Sequence, residues 1–93
     1  MVDAELRTVL AELQDLLDDV GERFWARWAR ERAAALAWGR LEPHDLRYVL
    51  GGLGSLNDLV LHPANGHDID RDDVDELNAR LTRLRAHLWQ LTG

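Results

Sequence analysis

The 93 residues are enough for one small domain with a single modest core. A net charge of −6 excludes the basic footprint of a non-specific nucleic-acid binder, and the lack of cysteine excludes disulfides and thiolate metal sites. No apolar run approaches the ~18 residues of a membrane span, and MVDAELRTVL lacks the basic-then-apolar pattern of a secretion signal, so a cytoplasmic protein with no membrane partner is expected.

The charge is unevenly placed. Residues 1–20 hold six acids and one arginine, whereas residues 21–40 hold two acids and five arginines. Every basic residue is an arginine, and alanine, leucine, aspartate and glycine are abundant, a composition that suggests a GC-rich bacterial genome.

The first element is an amphipathic helix. Leu6, Val9, Leu10, Leu13, Leu16, Leu17 and Val20 recur at helical spacing. Asp3 is placed to cap it and Glu5 suits its first turn. Arg7, Glu12, Asp15, Asp18 and Asp19 occupy the opposite face. Gly21 predicts a break or kink near 20–22.

A second helix is expected over 22–37. Phe24, Trp25, Trp28, Ala29 and Leu36 supply its apolar side, and Arg23, Arg27, Arg30 and Arg32 the other. Gly39 reads as its C-cap. Pro43 then opens a short third helix, expected over 43–50 with Leu46, Val49 and Leu50 inward. The segment GGLGSLND, residues 51–58, follows; LNDLVL after its glycines fits either a short helix or a buried extended piece. Pro63, Asn65 and Gly66 mark an irregular loop. Asp70 is the expected cap of the last helix, in which Val74, Leu77, Leu81, Leu84, Leu88 and Leu91 form a seam of 3,4,3,4,3 spacing. The reading is all-α: one domain over residues 1–93, a compact bundle of four main helices with an irregular Gly-rich connection at 51–70. The first and last helices are expected at the centre, with the tryptophans of the second laid over them.

Few residues point to chemistry. Asp68, Asp70 and Asp72 mimic the start of a calcium loop, but Asp73 stands where that loop needs glycine and Ala79 where it needs glutamate. An acidic helix N-terminus, matched to the helix dipole, explains them better. His62 and His67 share a loop without the three or four convergent ligands of a zinc site, and read as ordinary loop histidines. Ser55 lacks the G-x-S-x-G elbow, since Asn57 replaces the last glycine, and no base is placed for it. No lysine follows the glycines, so a P-loop is excluded. The chain is therefore not expected to be an enzyme or to carry a cofactor or metal.

Four tryptophans, Trp25, Trp28, Trp38 and Trp89, are many for this length. A core anchored by large rings accounts for them most simply. An exposed Trp/Arg patch around Trp25 and Trp28 would instead have the composition of a protein-binding hot spot. Ser55 and Asp58 have the spacing of a capping box, with Gly51 as a helix stop and Gly52 and Gly54 as points of close approach. Asn57 is left over, suited to bond a neighbouring loop or a ligand.

At this segment the sequence resembles a family of small uncharacterised bacterial proteins with a G-G-hydrophobic-G-S-hydrophobic-N-D-L-V core. Here the core is Gly51, Gly52, Leu53, Gly54, Ser55, Leu56, Asn57, Asp58, Leu59 and Val60. Leu53 replaces a methionine frequent in the family. A G-E-x-x-W-x-x-W-like helix upstream corresponds to Gly21, Glu22, Trp25 and Trp28, and the similarity runs from about residue 6 to 90. The resemblance implies a helical fold, a bacterial origin and no catalytic residues.

The expected role is binding another protein. Its concrete form is an immunity or antitoxin-like inhibitor of a basic partner, with Asp15, Asp18, Asp19 and the acids of the last helix steering encounter. The binding residues expected are those acids together with Ser55, Asn57, Asp58, Trp25 and Trp28. The alternatives are a small anionic-ligand module using the 51–58 turn, and a homo-oligomeric structural protein.

Overall fold

A computed structural model describes residues 2–46 and 56–92. They contain three α-helices, α1 (Val2–Asp19), α2 (Arg23–Ala37) and α3 (Val74–Leu91), with short 3-10 turns at Pro43–Leu46, Leu56–Asp58, Pro63–Asn65 and Arg71–Asp73. No strand occurs among the described residues. Among the described residues the fold is thus all-helical, with three main helices rather than the four expected. Of the expected third helix, Pro43–Leu46 forms a 3-10 turn with Leu46 buried, and residues 47–50 lie outside the described residues.

The seven apolar positions read from Leu6 to Val20 are all buried, six of them on α1 and Val20 just past its end. They span a wide stripe, which lets α1 pack against α2 and α3 at once. Its contact with α2 is the more extensive, so the centre is the α1–α2 hairpin and not the pairing of first and last helices. On α3 only Leu81, Leu84 and Leu88 are buried, while Leu77 and Leu91 pack at the edge. Full burial of a leucine side chain contributes about 1.5–3 kcal/mol, so α1 carries a large share of the stabilisation.

The hairpin turn is a Schellman motif. Glu22 N–H donates to Leu17 O at 2.8 Å and Gly21 N–H to Asp18 O at 3.1 Å, with Gly21 at φ +74°. Gly39 ends α2 in the same way: Arg40 N–H bonds Ala35 O at 2.8 Å and Gly39 N–H bonds Leu36 O at 3.1 Å. Both glycines act as the sequence predicts.

Two of the four tryptophans depart from expectation. Trp25 and Trp28 are half-buried at the edge of the core, while Trp38 and Trp89 are exposed. Small residues, Ala26 and Ala29, take the inward face of α2 and permit close approach to α1. The larger rings are displaced to the flank. At the other expected helix start, Asp70 stands extended ahead of the 3-10 turn and makes no side-chain cap bond, so α3 begins at Val74.

Candidate functional site

Three places bring polar or aromatic side chains together. The first is where α3 holds the segment 56–61. Leu56–Asp58 forms a 3-10 turn, and Leu59 N–H bonds back to Leu56 O. LNDLVL is therefore a tight turn followed by irregular backbone. Arg85 Nη1 donates to the carbonyl oxygens of Leu56 at 2.9 Å, Leu59 at 3.0 Å and Asn57 at 3.2 Å. Its Nη2 lies 3.3 Å from Thr82 Oγ1. Burial lowers the Arg85 pKa from the usual arginine range, and the Asp58 carboxylate opposes that shift. Two turns earlier on α3, Asn78 mimics a strand partner. Its Oδ1 accepts from Leu61 N–H at 2.9 Å, and its Nδ2 donates to Leu61 O at 2.7 Å and Val74 O at 2.9 Å. Backbone that a helix or sheet does not satisfy is thus satisfied by two side chains.

The second place is the α1–α2 hairpin turn. Glu22 Oε2 accepts from Trp25 N–H at 3.2 Å and caps α2, while Oε1 lies 3.2 Å from His67 Nε2. His67 Nδ1 accepts from His62 N–H at 3.1 Å. That acceptor role fixes the proton on Nε2, which donates to Glu22. Asp68 N–H adds a bond to Val20 O at 2.9 Å. His67 is buried, so it is a structural link and not an ordinary loop histidine. No group of three or more metal-ligating side chains occurs among the described residues.

The third place is the surface of α2. Phe24, Trp25 and Trp28 form an edge-to-face ladder with ring centroids 5.0 and 5.7 Å apart. Phe24 is 71% exposed, and Trp38, just past the helix, 77%. Fourteen residues separate them, which returns to within about 40° on a helix and spans about 21 Å. Arg27, Glu31 and Ala34 lie between them on the same exposed crest. On the shoulder facing α1, Arg23, Arg27 and Arg30 line a groove of about 230 Å³ with Gln14, Asp18 and Ala26. A second cleft, of about 260 Å³, lies where Ala4, Glu5, Thr8, Val9 and Glu12 of α1 meet His87 of α3.

The sequence-predicted residues are spread over these places. Ser55 lies outside the described residues, as do the glycines before it, so the capping box falls there too. Asn57 and Asp58 are exposed on the turn held by Arg85. Trp25 and Trp28 meet each other on α2. Asp15, Asp18 and Asp19 are exposed on α1, and Asp18 shares its groove with three arginines. Glu22, His67, Asn78 and Arg85 were not predicted. Each bonds a group far along the chain, and local spacing carries no trace of that.

Against known protein families, residues 18–70 match a domain of unknown function, DUF6966. The chain belongs to the DUF6966 family. No curated protein and no solved structure matches it. The DUF6966 stretch is shorter than the span of about 6 to 90 read from the sequence. It takes in only the last two residues of α1, all of α2, and ends at Asp70. The Glu22–His67 link lies within the DUF6966 stretch, whereas Asn78 and Arg85, which fasten residues 56–61, lie beyond it. Most of α1 and all of α3, whose leucines fill the same core, also lie outside the matched stretch.

Proposed function

We propose that the protein acts by binding another protein, with the outer crest of α2 as its contact face. The observation that carries this reading is the exposure of Phe24 and Trp38 on one crest. Large rings held in water at both ends of one helix face have the composition of interface anchors. A binding role, not a catalytic one, is part of the reading. So are a bacterial origin, a cytoplasmic location and the G-G-hydrophobic-G-S-hydrophobic-N-D-L-V motif as a family mark. Among the described residues no helix is long and apolar enough to cross a membrane.

The net charge of −6 favours a basic partner at long range, with Asp15 and Asp19 exposed to steer it. An immunity or antitoxin-like inhibitor of such a partner fits this charge. Photocross-linking tests the contact face. A photoreactive residue at position 24 or 38 captures one defined protein in the native host, and the same residue at position 83, exposed on α3, does not. Equal capture from all three positions would remove the crest from the reading.

A second copy of the chain is the other occupant with support. Arg27 and Glu31 lie one turn apart on the crest. An antiparallel pair of α2 helices would set each Arg27 against Glu31 of the second copy. Light scattering over a range of concentrations separates the two: a monomer throughout excludes this second reading.

A further inference from the structure

We infer that the groove between α1 and α2 binds a small oxyanion, a phosphate group above all. Arg23, Arg27 and Arg30 stand at i, i+4 and i+7, so all three guanidinium groups rise from one side of α2. None is in an ion pair within 4.0 Å among the described residues, and Asp18 on the facing wall reaches none of them. Neighbouring like charges at this spacing repel one another, and an anion between them relieves the repulsion. Arginine suits this task because its planar fork meets phosphate oxygens two at a time.

The opposite wall sharpens the ligand. Gln14 supplies an amide and Asp18 an acceptor, so a hydroxyl on the ligand can donate to Asp18 while the oxyanion faces the arginines. At about 230 Å³ the groove is smaller than the ~300–1,000 Å³ of pockets for drug-sized ligands. It fits a phosphate, or a compact phosphate monoester bearing a hydroxyl. Residues 56–58 are the poorer place for an anion: they include Asp58 and present carbonyl oxygens to Arg85.

NMR titration with inorganic phosphate, and separately with glycerol 3-phosphate, tests this at constant ionic strength set with sodium chloride. The expected result is a saturable shift of the Arg23, Arg27 and Arg30 side-chain resonances and of the Gln14 amide. Arg27→Gln weakens binding at least tenfold, and Arg80→Gln, at an exposed position on α3, leaves it unchanged. Phosphate raises the melting temperature of the native chain but not of Arg27→Gln. Tighter binding of the ester than of phosphate supports a hydroxylated ligand; equal binding supports the bare oxyanion. Non-saturating shifts spread over all the arginines, or equal behaviour of Arg27→Gln and Arg80→Gln, overturn the site. No protein partner enters these measurements, so the groove and the crest stand or fall separately.

Discussion

Glu22 and His67 are 45 residues apart in the chain, yet the Glu22 carboxylate accepts from the His67 ring at 3.2 Å. The same carboxylate caps α2 through Trp25 N–H. One side chain therefore sets where α2 begins and where the loop at 62–68 docks. Glu22→Ala removes the cap, worth about 1 kcal/mol, and leaves the buried His67 N–H unpaired at a cost of about 1–3 kcal/mol. Urea denaturation is expected to show a loss of about 2–4 kcal/mol at unchanged slope. Nitrogen NMR should find the His67 proton on Nε2.

Arg85 serves three carbonyl oxygens from a half-buried position. Arg85→Met keeps the apolar stem and removes the donors. The expected cost is about 2 kcal/mol, the scale of hydrogen bonds to a charged group. Amide exchange should accelerate first at residues 56–61, whose anchor is lost, and later in α1. Arg85→Lys restores only part of the stability, because the shorter side chain does not carry its one nitrogen to both the carbonyls and Thr82 Oγ1, which Arg85 meets with two.

Asn78 offers a sharper contrast, since it uses both ends of its amide. Asn78→Asp keeps the acceptor for Leu61 N–H. It also sets a carboxylate oxygen against the carbonyls of Leu61 and Val74, where Nδ2 now donates. Asn78→Asp is expected to cost more than Asn78→Ala, which should lose about 1–3 kcal/mol. Thermal melts of the two variants check the order.

Gly21 tests the hairpin. A Cβ built there meets nothing within 4 Å, so any penalty of Gly21→Ala comes from the backbone. At φ +74° an alanine is strained by about 1–2 kcal/mol. A melt unchanged from the native chain would mean that the turn relaxes to another geometry.

The contrast between Gly21 and Asn78 also shows what the sequence reveals. Gly21 and Gly39 act within five residues of themselves, so their role is local and readable. The α1 stripe is readable for the same reason: helical spacing alone places its leucines. Ring size suggests burial for all four tryptophans, yet only Trp25 and Trp28 pack against the core, because Ala26 and Ala29 decide which face of α2 meets α1. The arginine groove needs α1 and α2 side by side, because Gln14 and Asp18 face its arginines from across the hairpin turn. The 3-10 turn at Leu56–Asp58 is held from α3 by Arg85, so no property of LNDLVL alone could settle it.

The central claim is that the α2 crest binds a protein. Its most direct test is the affinity of the partner identified by cross-linking, purified and measured by calorimetry against the native chain and against Phe24→Ala/Trp38→Ala. The account predicts at least a tenfold loss of affinity, about 1.4 kcal/mol, with the fold unchanged by circular dichroism. Equal affinity of the two chains for that partner would contradict it.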